Sequence, residues 1–383
     1  MSNSVSTVDT EPSSRLTPTA QNRWKSEPSP RELLLLTSAG YVLFVVCIVL
    51  FRNYFDLVDH FADSAAYMGV AQAIRHWDFH GVVIKQFWGL PYVMAALSTL
   101  AGLSDRASLL LISAISSFAT VLLTYRLWGG WIAGFFAVLN FDWLQRSYLG
   151  GSEPLFVLLL FAAFFAARKE RWLLAAFLAS LATVVRPLGI FALLGVGLTL
   201  LWKRNFRTFL IATAIGITIA VLYSLPLARH FGGPLANLNS YHNQAWAGGH
   251  LFGLPFYAIV KGTIQDPAPL TNLVLSFGWI LLVLAGMIAM VRTKKFRAYA
   301  RSHAVEMIFL LPYLWTLYTY NYPHWARSNF VRFAIPVIPF VLLALDRWLP
   351  KDKRILWSLG IVTPILAACS ALGITNVFQR VFG

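Results

Sequence analysis

The stretch Asp56–His80 gathers four of the chain's 16 acidic residues and three of its 8 histidines. The acids are Asp56, Asp59, Asp63 and Asp78, and the histidines are His60, His76 and His80. A carboxylate held beside a hydroxyl group can take its proton, which is general-base chemistry. Asp63 is the first candidate for that role and Asp59 the second. If Asp63-Ser64-Ala65-Ala66-Tyr67 is helical, Asp63 and Tyr67 share a face one turn apart. The helix N-terminus would also keep the carboxylate ionised. The plainer alternative is that Asp63 only caps the helix. Asp59, His60 and Asp63, joined by His76 and His80, could instead hold a divalent metal. No strict metal motif such as HExxH occurs, so a metal is an allowed cofactor and not a required one.

Three later motifs could serve the same chemistry. Gly150-Gly151-Ser152-Glu153-Pro154 opens an apolar run with an acid, and Glu153 is the third candidate catalytic carboxylate. Arg146, just before it, could pair with Glu153 or bind a phosphate. An ordinary helix start, with Ser152 as cap and Pro in the first turn, accounts for the same letters. Arg186, in Val-Val-Arg-Pro between two apolar runs, could reach a phosphate or neutralise an acid, or merely snorkel to the interface. The segment Asn321–Pro336 carries His324, Arg327 and Arg332 and runs into Arg-Phe-x-x-Pro. A guanidinium grips phosphate oxygens in a fork and does not lose its charge, so these arginines suit a phosphate leaving group. Interfacial anchoring with Trp325 is the alternative.

Membrane helices must position these residues. The 383-residue chain is 58% hydrophobic and 12% charged, with mean hydropathy +0.64. That composition fits an all-α polytopic membrane protein and excludes a large soluble α/β enzyme. The net charge of +15 comes in short bursts between apolar runs, which is the positive-inside pattern and not a nucleic-acid footprint. It also suits anionic lipid at the cytoplasmic face. Cys47 and Cys369 both sit in apolar runs and imply no disulfide framework or zinc site.

Residues 1–32 read as a disordered cytoplasmic tail, and 33–383 as a single transmembrane domain of about eleven spans. The first span, Leu33–Phe51, is a retained signal anchor running from inside to outside. Further spans are expected near 107–125, 130–144, 154–167, 172–185, 188–202, 208–228, 270–291, 305–320, 333–345 and 355–374. The run 88–103, opened by Gly89-Leu90-Pro91, is taken as an interfacial or re-entrant helix that does not cross. This choice puts 20 of the 31 Lys and Arg inside, and it makes about 52–106 and 229–269 external loops. Few charges then fall mid-span, with Asp142 and Glu306 near span ends.

An external Asp four residues before a Tyr, followed by an Ala-rich helix and Phe87-Trp88-Gly89-Leu90-Pro91, resembles the first extracytoplasmic loop of GT-C fold glycosyltransferases. Ser152-Glu153-Pro154, Arg186-Pro187 and the Arg332 segment resemble later features of that family, in the same order. The resemblance spans about Leu33 to Leu345. It implies a GT-C-like fold and transfer of a sugar from a polyprenyl-phosphate donor to a lipid, glycan or protein acceptor on the external face. Asp63 or Asp59 would be the base, with inversion at the anomeric carbon. Glu153 would be the acid heading the fourth span, and Tyr67, Arg146, Arg186, His324, Arg327 and Arg332 would bind substrate. The small size and the Ser-Glu-Pro-Leu-Phe segment look closest to the PIG-V-like and related bacterial mannosyltransferase-type branches, which makes mannose the sugar to consider. The implied location is a multi-pass membrane protein with a cytoplasmic N-terminus, in the inner membrane if bacterial. His242 and His250 could hydrogen-bond sugar hydroxyls, and Tyr241 and Trp246 could stack on a sugar ring. The rival class is a transporter or lipid flippase, which would call for ionisable residues deep in the spans and for repeat symmetry.

Overall fold

The computed structural model describes residues 24–61, 63–82, 84–242, 250–265, 270–321 and 329–373. Among them it is almost entirely helical and holds no β-strand beyond one isolated bridge, Phe252 to Tyr320.

A capping box of Ser29 and Glu32 starts α1 (Pro30–Phe51), three residues before the expected boundary, and Pro30 fits its first turn. Two short helices follow, α2 (Tyr54–His60) and α3 (Ser64–His76). Helix α4 (Gly89–Ala101) is the short apolar helix expected not to cross; its 13 residues reach only about 20 Å. Helix α5 (Asp105–Trp128) is capped by Ser104.

The run expected as one span over 130–144 is broken. Helix α6 (Gly130–Leu139) stops at Asn140, whose extended backbone and side chain cap α7 (Phe141–Leu149). The Asn140 side-chain oxygen accepts from the Trp143 N–H at 2.9 Å, while its amide donates to the Val331 carbonyl at 3.1 Å. The chain then turns through 107° into α8 (Glu153–Arg168). Gly150, at φ 94°, makes this bend in a conformation that a side chain would resist.

Helices α9 (Trp172–Val185) and α10 (Ile190–Trp202) are joined by Arg186 and a 3₁₀ turn. Helix α11 (Phe206–His230) is followed by α12 (Ala236–His242), α13 (Tyr257–Gln265), α14 (Leu270–Arg292) and α15 (Lys294–Ser302). The chain ends in α16 (Ala304–Thr319), α17 (Phe330–Ala334), α18 (Ile338–Ala344) and α19 (Lys353–Leu372).

The main core is a cluster of buried aliphatic and aromatic side chains centred on α6, α8 and α18, including Phe136, Phe161, Phe164 and Phe340, and a smaller cluster packs Val70 and Trp88 against Leu227 and Ala236. Helix α19 packs on α1, where Lys353 Nζ meets Glu32 at 2.7 Å. Among the described residues four helices are long and apolar enough to cross a membrane: α1, α5, α11 and α19. The number is six if α7–α8 and α14–α15 each count as one bent span. The other apolar helices are shorter than a full crossing by length alone. Leu35, Leu50, Leu210, Ile217 and Leu222 lie at least half exposed on α1 and α11. A large outward apolar surface of this kind is costly in water and neutral in lipid.

Candidate active site

Asp63 precedes α3 in the N-cap position, yet its side chain bonds to no helix N–H, so capping is not its role. One carboxylate oxygen lies 2.9 Å from Arg332 Nη2, and the other accepts from Gln86 Nε2 at 3.4 Å. Burial alone would raise its pKa. The charges of Arg332 and Arg146, with the Arg332 hydrogen bond, outweigh that and hold the carboxyl below the usual carboxylate range.

Glu153 opens α8, and one of its oxygens takes bonds from both Arg186 and Arg332. Its second oxygen, Oε2, is buried without a hydrogen-bond partner among the described residues. Arg186 reaches Glu153 Oε1 because the next residue is proline. The clash with the Pro187 ring favours extended backbone, which ends α9 at Val185 (Arg186 φ −147°, ψ 130°). Arg332 sits in the one-turn helix α17, and its guanidinium bridges the two carboxylates that lie 179 and 269 residues away in sequence. The ring of Phe333 packs against both guanidinium groups, 4.9 Å from Arg186 and 5.9 Å from Arg332.

Ser152 does not cap α8 through its side chain, contrary to the ordinary-start reading. Its hydroxyl instead accepts from the Tyr67 hydroxyl at 3.0 Å and from Arg186 Nε at 3.1 Å. Burial, reinforced by the negative charges of Asp63 and Glu153, pushes the Tyr67 phenol upward, so it stays protonated as a donor. The fold therefore brings Asp63, Tyr67, Glu153, Arg186 and Arg332 together from four separate stretches of the chain: the start of α3, the start of α8, the α9–α10 link and α17.

Arg146 stands beside this cluster. It lies on α7 and is buried, with its guanidinium 4.8 Å above the Phe61 ring and its Nε unpartnered among the described residues. Asp142, one turn earlier and just past the end of α6, is also buried, and its Oδ2 is likewise unpartnered among the described residues. Arg186 and Arg332 are tied to carboxylates, whereas Arg146 has no ion pair among the described residues.

Asp59 points elsewhere: Arg106 grips it in a two-point fork, Nε to Oδ1 at 2.7 Å. His60 pairs with Asp56 on the exposed side of α2. The metal set of Asp59, His60 and Asp63 is thus dispersed onto separate partners. Among the described residues no group of three or more His, Cys, Asp or Glu could hold a metal ion. His324, Arg327, Trp246 and the side chains of Tyr241 and His242 lie outside the described residues.

Sequence reading missed Ser152 as a shared acceptor and Gln86 as a second contact to Asp63. A signal for Gln86 existed, since it directly precedes the Phe-Trp-Gly-Leu-Pro motif. Asn237 of α12 holds this loop by donating to the carbonyls of Ile84 and Gln86. Comparison with family models, curated proteins and solved structures gave no match, so the site rests on its own geometry.

Proposed function

We propose that the chain is a membrane glycosyltransferase of the GT-C type, which moves a sugar from a polyprenyl-phosphate donor to an acceptor hydroxyl on the external face. In this reading the shorter apolar helices other than α4 also cross, giving about eleven spans with the N-terminus in the cytoplasm. The acceptor is a lipid, glycan or protein, and mannose is the first sugar to test.

The observation that carries the proposal is the convergence of Asp63, Glu153, Arg186 and Arg332. In the proposed reaction Asp63, kept ionised by Arg332, accepts the acceptor's proton as its oxygen bonds to the anomeric carbon. The bond from that carbon to phosphate oxygen breaks on the opposite side, and the electron pair leaves with the polyprenyl phosphate. Fixed cations stabilise the charge that develops there. Glu153 fixes Arg186 and Arg332 in place, and Arg146 offers a guanidinium with no ion-pair partner among the described residues.

The test is transfer from labelled polyprenyl-phosphate sugars by purified protein and by Asp63→Asn. Burial of Asp142 and Arg146 inside the bundle favours a second reading, a transporter of an anionic substrate. Transfer in detergent, where no transport can be scored, separates the two.

A further inference from the structure

A second charged cavity lies at the opposite end of the same helices. Helix α8 carries Glu153 at one end and Arg168 at the other, about 23 Å away along 16 residues. The neighbouring α9, α10 and α16 place Trp172, Trp202 and Ala304 at that far end. There they enclose a cavity of about 380 Å³, a size typical of small-ligand sites.

Its floor is an ion pair already satisfied. Arg168 contacts both oxygens of buried Glu306, at 2.6 and 3.0 Å, and also the Leu127 carbonyl and the Tyr299 hydroxyl. His303 lies in the wall stacked on Tyr299. Burial, with the Arg168 charge, lowers its pKa to about 4, so it brings no charge at neutral pH. At the mouth Lys203 pairs with Glu170 at 2.7 Å, where both side chains are exposed and the pair is weak. Arg301 lines the cavity with no hydrogen-bond or ion-pair partner among the described residues. Against Glu170 and Glu306 stand Arg168, Lys203 and Arg301, so one positive charge is left over.

The surroundings say what kind of anion fits. Trp202 at the rim is 81% exposed, and Leu198, Leu194 and Ile190 continue from it as an exposed stripe along α10. Those 13 residues cover about 18 Å, close to the thickness of one bilayer leaflet's hydrocarbon. Basic pockets between membrane helices hold lipid headgroups, and indole rings suit that depth.

We propose that this cavity binds the phosphodiester headgroup of an anionic glycerophospholipid, with Arg301 and Lys203 on the phosphate and the acyl chains along the α10 stripe. The site is independent of the Asp63–Glu153–Arg332 cluster.

Native mass spectrometry of the purified full chain, titrated with phosphatidylglycerol and with phosphatidylcholine, tests it. Phosphatidylglycerol should bind more tightly. Lys203→Ala and Arg301→Ala should each weaken it roughly fivefold. Lys351→Ala, which removes a charge near the same end but outside the cavity, should leave binding unchanged. Excess inorganic phosphate should not displace the lipid. The proposal is overturned if Lys203→Ala/Arg301→Ala binds like wild type, if Lys351→Ala weakens binding equally, or if inorganic phosphate removes the lipid.

Discussion

Arg332 joins the two carboxylates of the candidate site, so its removal has consequences that can be sized. Its side chain is 12% exposed, against 30% for Asp63 and 2% for Glu153. Arg332→Ala leaves Asp63 without its ion-pair partner and Glu153 with Arg186 alone. Removing one partner of a buried ion pair costs about 3–5 kcal/mol, and because Glu153 keeps Arg186 we expect about 3 kcal/mol. Arg332→Lys should recover only part of this. An ammonium restores the charge, but as a point charge it cannot fork between two carboxylates. Adding Asp63→Asn to Arg332→Ala removes the stranded charge, so the double variant should be more stable than additivity predicts, by about 0.5–3 kcal/mol. Cys47 and Cys369 are both partly buried, so a thiol-reactive dye can follow thermal unfolding in detergent. An Arg332→Ala protein within about 1 kcal/mol of wild type, with an effect that adds simply to that of Asp63→Asn, would show that Arg332 does not bridge the two carboxylates.

Three further outcomes follow from the same geometry. Asp59→Asn should retain transfer activity and cost no more than about 1 kcal/mol, because its partner Arg106 is 40% exposed; loss of activity would move the base to Asp59. Gly89→Ala should destabilise by about 1–3 kcal/mol, since a Cβ there would sit 2.6 Å from backbone atoms of Val184 and Val185, which cannot rotate away. An unchanged melting temperature for Gly89→Ala would show that α4 and α9 are packed otherwise. The Asp63 pKa is lowered from 3.8 on folding, so its stabilisation is complete above 3.8 and is lost as pH falls through the lower folded value. Transfer rates should therefore show no base ionisation between about pH 5 and 8, and an acid limb centred near pH 6 would exclude Asp63 as the base.

Much of this was legible in the sequence because bilayer helices write themselves as apolar runs. The boundaries of α9, α11 and α19 fall within a few residues of the hydropathy reading, and α4 is the short helix that Gly-Leu-Pro announced. The identities of Asp63, Glu153, Arg186 and Arg332 were also legible, because a charge beside an apolar run needs a partner. The partners themselves were not. Asp59 gave the same signal as Asp63, and only a fold that brings Arg106 to it separates them. The break at Asn140 was hidden because the apolar letters continue across it. Asn140 stops α6 through two specific hydrogen bonds, one of them to Val331 far along the chain. Helix α7, with Asp142, Gln145 and Arg146, reads as a polar loop end. It is buried because neighbouring protein groups surround those side chains, as when Gln145 donates to the Ala367 carbonyl at 2.8 Å.

In the proposed sugar transfer, Asp63 takes the acceptor's proton while Glu153 holds the arginines. The most direct test is transfer from a labelled polyprenyl-phosphate sugar by Asp63→Asn, in protein shown to be folded by the thiol-dye melt. The account predicts measurable transfer by the wild type and a loss of about 10²–10⁴-fold in the variant. A folded Asp63→Asn protein that transfers sugar at the wild-type rate would contradict it.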